Sequence, residues 1–271
     1  MGYLGHRLNS SPGGTPDLVM TKPTECVEGG WLFALIGTNI NAATYSIEPR
    51  LADNITPDPL WLPVDNDFSS TTSSTAASLH IFAKKVLASE AGASGPASYT
   101  FHIGPSNRTY AAILLAYDGL KATNPVLQAI LSDSAGENSV SVECPNVTST
   151  RENQYIIRCG VIRQDANFAT LTGYTEQVDW NNANNNISLF WQELLKANPG
   201  VTSQSIVTAT LAGEHVGATL LLDNDVADSE VSTLAPDGVA ASSGYANAST
   251  ANIANILGDP DTPGGTGFTA N

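Results

Sequence analysis

The hydrophobic pattern of the chain has a short period nearly throughout. In "SLHIFAKKVLASEAGASGPASYTF", Leu79, Ile81 and Ala83 alternate with His80, Phe82 and Lys84; after a Gly/Ser/Pro-rich interruption, Tyr99 and Phe101 flank Thr100. Alternation on both sides of a turn-forming segment predicts two neighbouring strands, a hairpin. "GGWLFALIGT", "RTYAAILLAYDG" and "NQYIIRCGVIR" are near-continuous apolar runs bounded by turn residues, as strands buried on both faces are. "LWLPV" is short, and Pro63 assigns it to an edge or a bend, because proline cannot donate to a ladder.

In "SIVTATLAGEHVGATLLLD", Val207, Ala209 and Leu211 face one way and Ile206, Thr208 and Thr210 the other. "AGEHVG" then turns the chain into Val216, Ala218, Leu220 and Leu222, with Glu214 and His215 at a hairpin tip. "NISLFWQELLKANPG" contains helix-forming residues, but its Ile187, Leu189 and Trp191 alternate between β neighbours, so a strand is expected. One short helix is expected at "NPVLQAILSD", with Asn124 as N-cap and Pro125 at the first helical position.

These elements sit in a middle zone. Residues 1–24 are Gly/Pro/Ser-rich with little periodicity and are expected to form an extended N-terminal arm. Residues 25–223 carry almost all the strand signals. Residues 224–271 are dominated by small and polar residues, and so form a C-terminal low-complexity arm that orders only against something else. Short strands near ten residues apart, joined by Gly/Pro/Asn/Ser turns, predict an all-β fold: an antiparallel β-sandwich, jelly-roll-like, with extended arms at both ends. No internal repeat of fixed period is evident.

Composition narrows the function classes. The 26 acidic and 11 basic side chains give a formal charge of -15, and no Lys/Arg cluster reverses it locally. Such a field repels phosphate backbones, so nucleic acid is not an expected partner. No apolar run reaches the length that spans a bilayer, the opening residues lack the apolar core of a secretion signal, and His6 stands where a myristoylation motif wants Ser or Thr; no membrane partner is expected. The Asn-X-Ser/Thr triplets at Asn107 and Asn146 then read as chance. Cys26, Cys144 and Cys159 cannot all pair within one chain. Cys159 reads as a small buried side chain, and Cys144 and Cys159 can meet across strands although no spacing requires it.

Candidate chemistry is sparse. "GASGP" at Gly92 lacks the spacing of a nucleophile elbow. His80 and His102 fall on the two strands of the expected hairpin, but two imidazoles are fewer than a zinc site needs, and polar residues on a sheet face are the plainer reading. The acidic strings holding Asp65 and Asp67, and Asp223, Asp225, Asp228 and Glu230, fail the EF-hand pattern: counting from Asp223, the sixth and twelfth places are Asp228 and Leu234. They read as solvated loop carboxylates. No phosphate-binding glycine loop occurs. Trp31 and Trp191 lie in apolar runs and are expected in the core, whereas Trp61 and Trp180 are the expected exposed aromatics. No catalytic, cofactor-binding or metal-ligating residues are assigned, no cofactor is expected, and the chain is read as not an enzyme.

Lys85, Val86 and Glu90, then Tyr99-Thr100-Phe101, then Tyr117 and Gly119, then Pro145, Val147 and Thr148 form a succession of turn and core signatures. It resembles a β-sandwich domain of tailed-bacteriophage virion proteins, with "AGASG" inserted between Glu90 and Pro96. The resemblance implies a structural protein of a phage particle, of the head decoration, fibre or minor tail type. A capsid decoration or minor capsid protein held on the head lattice is the leading form; a tail-associated carbohydrate- or receptor-binding protein is the alternative. Implied with it are a virion location, a major capsid protein or other virion proteins as partners, and a homo-oligomer, with a trimer among its forms.

Overall fold

A computed structural model describes residues 2–11, 16–39, 47–64, 68–69, 76–104, 109–133, 137–182 and 186–224. Among these the chain is all-β: there is no α-helix, only a 3-10 turn at Ala88–Glu90, and every strand pairing is antiparallel.

The strands fall into several open sheets. In the first half of the chain they are β1 (Gly2–Ser11), β2 (Asp17–Thr21), β3 (Trp31–Thr38), β4 (Glu48–Arg50), β5 (Leu62–Pro63), β6 (Phe68–Ser69), β7 (Ser78–Lys85), β8 (Ser98–His102) and β9 (Tyr110–Asp118). Sheet I runs β1-β9-β3-β7-β5, with β6 also on β7, and a smaller sheet runs β2-β8-β4. The second half supplies β10 (Val126–Asp133), β11 (Ser139–Cys144), β12 (Thr148–Ser149), β13 (Gln154–Ile162), β14 (Thr175–Trp180), β15 (Ser188–Lys196), β16 (Gly200–Val201), β17 (Ser205–Gly213) and β18 (His215–Leu222). Sheet II runs β10-β18-β13-β15-β14, beside the pairs β11-β17 and β12-β16.

The near-continuous apolar runs are explained by layering. Trp31, Phe33 and Leu35 join Ile157, Cys159, Leu189, Trp191, Ala218 and Leu220 in one core between sheets I and II. The alternate residues Leu32, Ala34 and Ile36 point the other way, into a second core with Leu18, Met20, Tyr99 and Phe101 of the β2-β8-β4 sheet. Behind sheet II, Ile162 and Phe190 pack on Val142, Cys144, Val207 and Ala209 of β11 and β17. Sheets I and II are thus covered on both faces, and their central strands carry apolar side chains at consecutive positions.

Several sequence expectations are corrected by these pairings. β7 and β8 are both strands but do not form a hairpin: β7 belongs to sheet I, and β8 pairs with β2 and β4. Likewise β17 pairs with β11 while β18 pairs with β10 and β13, so "AGEHVG" carries the chain between sheets and His215 is a buried first residue of β18. Leu211 is exposed rather than aligned inward with Val207 and Ala209. The expected helix is β10: Asn124 adopts φ 51, a left-handed turn conformation, and the residues after Pro125 pair along β18. Residues 2–11 and 17–21 are strands paired with β9 and β8, so the N-terminal segment is part of the body instead of an arm. Of the C-terminal arm, 224–271, Asn224 forms an isolated bridge with Leu120, and residues 225–271 lie outside the described residues. The strand at 188–196 and the edge position of Pro63 are found where expected.

Candidate functional site

The most concentrated polar chemistry lies where the end of β7 meets the segments 50–61 and 86–99. Lys84 is 3% exposed, on the face of β7 that also carries Phe82. Its Nζ stands 3.1 Å from Asp58 Oδ2 and 2.9 Å from Glu90 Oε1. It also lies 4.8 Å from the Tyr99 ring centroid and 5.9 Å from that of Trp61, within cation–π range. Trp61 in turn packs edge-on against Tyr99 and Phe101.

Each carboxylate is also spent on backbone. Glu90 Oε2 accepts from the Leu87 amide at 3.2 Å, closing the 3-10 turn, and Asp58 Oδ1 accepts from the Leu60 amide at 3.0 Å. The buried Lys22 donates to the carbonyls of Glu90 and Ser94, and the Cys26 thiol donates to the Glu90 carbonyl. Burial, then the Glu90 carboxylate, pushes the Tyr99 phenol far above its usual range, so it remains a neutral hydroxyl. Above this floor is a cleft of about 290 Å³ whose rim includes Arg50, Leu51, Leu60, Pro96 and Thr100. The ammonium is clamped between two carboxylates and offers no free lone pair. What the cluster does is tie two long connections to the strands beneath them.

Two further networks have the same character. Arg158, fully buried in the middle of β13, donates to the Cys144 carbonyl at 3.0 Å and the Ser203 carbonyl at 2.8 Å, and also to Pro145 O, Thr219 Oγ1 and the Tyr174 hydroxyl. A guanidinium presents donors in a fixed planar fork, and here the fork gathers the β11–β12 and β16–β17 connections. Between sheets I and II, the Tyr117 hydroxyl donates to Glu193 Oε2 at 2.8 Å and accepts from Trp191 Nε1 at 2.6 Å, while Gln177 donates to Glu193 Oε1 at 2.7 Å. Burial raises the Glu193 carboxyl above its usual range despite those donors.

The residues singled out from sequence are dispersed. His80 is buried in β7 opposite Ile36, and burial lowers it to about 4. His102 is in the β2-β8-β4 sheet, 2.8 Å from Asp17, so the two histidines are not cross-strand neighbours. His6 is next to the Tyr3 hydroxyl. Trp61 is buried, not exposed, and Trp180 is half-buried against the inter-sheet core. Asp223 is not a solvated loop carboxylate: it is 2% exposed, accepts from Gln154 at 3.1 Å, and lies 3.4 Å from Lys121 and 3.5 Å from Arg151. Asp65, Asp67, Asp225, Asp228 and Glu230 lie outside the described residues. Cys26, Cys144 and Cys159 are buried free thiols, with Cys144 pushed up to about 12 by burial. Cys144 and Cys159 are neighbours, as the strands allow, but unbonded; the Cys144 thiol points to the Cys159 carbonyl.

Glu90 stands out in the sequence as a turn signature, whereas nothing there marks Lys84, Asp58, Tyr99 and Arg158 as network members. A lysine at an alternating strand position reads as solvent-facing; only its placement beside Phe82, on a run buried on both faces, signals otherwise. Comparison of the chain with protein-family models, with curated proteins and with solved structures returns no match.

Proposed function

We propose that the chain is a non-enzymatic structural component of a tailed-phage particle, a capsid decoration or minor capsid protein held on the head lattice. On this reading the layered body is an antiparallel, jelly-roll-like β-sandwich. The observation that carries it is where apolar side chains remain outside. Leu8 lies on β1 and Leu127 and Ile130 on β10, the edge strands of sheets I and II, and Ile206 and Leu211 face outward on β17. Sheet edges with apolar side chains suit strand addition and lateral packing between subunits. The buried charges of Lys84, Arg158 and Asp223 meanwhile serve internal connections. The signature residues occupy supporting places: Glu90 closes its turn, Tyr117 bridges Glu193 and Trp191, and Gly119 adopts φ 71 after β9.

Attachment through an arm falls to residues 225–271, because the N-terminal segment belongs to the body. A chain ending at Asn224 keeps the hydrogen bond from that residue to the Asn153 carbonyl and all the described strands. Expressed in place of the full chain, it is expected to keep the β-type circular dichroism of the described strands and to be absent from purified particles. Undiminished incorporation would remove the tail as the fastener. Binding of the full chain to particles of no kind, with its fold intact, would remove the virion reading itself. No observation favours the carbohydrate-binding alternative, since neither Trp61 nor Trp180 forms an exposed platform.

A further inference from the structure

Five strand pairings recur in both halves. In the first, β1 pairs with β9, β9 with β3, β3 with β7, β7 with β5, and β2 with β8. In the second, β10 pairs with β18, β18 with β13, β13 with β15, β15 with β14, and β11 with β17. Chain order is preserved throughout: β1, β2, β3, β7, β8 and β9 correspond to β10, β11, β13, β15, β17 and β18.

The correspondence extends to single residues. Trp31 lies between Tyr117 and Lys85, and Tyr155 between Leu222 and Leu195; six positions later, Gly37 lies between Ala111 and Leu79, and Val161 between Val216 and Leu189. The ladder of the first strand slips at the equivalent point in both halves, between Tyr3 and Gly5 opposite Tyr117/Ala116 and between Val126 and Gln128 opposite Leu222/Leu221, leaving Leu4 and Leu127 as the extra residues. Ser78-Leu79 and Ser188-Leu189 open β7 and β15, all four fully buried. Two residues before Trp31 and Tyr155, Gly29 (φ 77) and Asn153 (φ 59) take the same left-handed turn. A shared topology alone does not require a shared bulge, a shared turn conformation and a shared register.

One pair of contacts between the halves is reciprocal: β15 lies against β9 and β7 against β18, contacts that exchange when the halves are interchanged. A Cβ placed on Gly37 would stand 2.7 Å from Val161 Cγ2 and 2.8 Å from Leu189 Cδ2, so a residue and its own equivalent meet, as happens only close to a twofold axis. We infer that the chain is two copies of one β unit, residues 2–118 and 126–222, closed face to face about a local dyad, so that the inner faces of sheets I and II form a pairing surface whose partner is a copy of the same unit. In a dimer of separate identical chains, identical residues must share the axis. Fusion frees the two positions to differ, and one is glycine where the other is valine. Each chain then offers its surroundings equivalent edge strands in pairs, β1 with β10 and β5 with β14.

A reciprocal exchange at the axis tests this. Gly37→Val alone presses two valines together and is expected to lower the urea midpoint of the full chain. Gly37→Val combined with Val161→Gly restores the large-against-small arrangement and is expected to recover more than half of that loss. Recovery of less than half would overturn the dyad. A second measurement does not depend on substitutions in the core. A protease site inserted between the exposed Ala122 and Thr123 of the full chain is cut after folding. The two fragments are expected to stay together at 1:1 by native mass spectrometry, and fragments that separate without denaturant would overturn the pairing surface.

Discussion

His80 shows how one buried side chain sets a pH response. Burial holds its imidazole neutral, and its folded pKa of about 4 lies below the unfolded value of 6.5. Between those values the unfolded chain binds more protons, so the His80 contribution is intact above pH 6.5 and is lost as pH falls towards 4, by roughly 3 kcal/mol at the acid end. Other groups add their own acid response, Glu193 and Asp179 with carboxyl pKa values raised by burial among them. The informative quantity is therefore the difference between the wild type and His80→Phe, the residue found at the equivalent Phe190. That difference should be flat above pH 6.5 and favour the variant increasingly below it; parallel curves would mean that the histidine charges without penalty. Lys84 makes the opposite case, a charge the fold requires. Lys84→Met leaves Asp58 and Glu90 facing each other in a buried site without a cation and should cost about 3–5 kcal/mol at neutral pH. Equilibrium urea unfolding of Lys84→Met beside the wild type measures that cost, and an unchanged midpoint would mean that the fold does not need the ammonium.

At the level of elements, the strands were legible and their partners were not. Consecutive apolar residues in β3, β9 and β13 announce burial on both faces, but the same property removes any cue to which sheet a strand joins. That is why two adjacent pairs, β7/β8 and β17/β18, read as hairpins although each crosses between sheets. β10 imitates a helix start because Asn124-Pro125 is an N-cap pair in sequence but a left-handed turn into a strand in the fold, and the bulge at Leu127 removes the alternation that would have marked the strand. The clusters around Lys84 and Arg158 were invisible because their members come from connections far apart in sequence. Close approach of elements is equally a tertiary property. On β18, a Cβ added at Gly217 would collide with the Glu143 carbonyl of β11, which is backbone and cannot step aside. Gly217→Ala should therefore cost about 1–3 kcal/mol through overpacking, measurable as a lowered thermal midpoint. An unchanged midpoint would mean that β11 lies further from sheet II.

At the level of the molecule, the cores decide how the two halves unfold. The largest cluster draws Phe33, Leu79, Ile113 and Tyr117 from one half and Ile157, Leu189, Trp191 and Leu220 from the other, so neither half can expose its inner sheet face without exposing its partner's. Burial of apolar surface is the dominant favourable term, and a unit stripped of its partner would present a broad apolar sheet face to water. The body should therefore unfold in one cooperative step although it consists of two topologically complete units. Leu79→Ala and Leu189→Ala, at equivalent positions and both fully buried, should each cost about 2–5 kcal/mol. Each should displace the whole transition rather than create a shoulder belonging to its own half. Calorimetry, with hydrogen exchange followed separately on β3 and β13, distinguishes the possibilities. If Leu189→Ala loosens β13 while β3 keeps its full protection, the halves are thermodynamically separate and the shared core does not couple them. If protection falls equally in both strands, the inter-sheet face acts as a single structure, as an obligate pairing surface must.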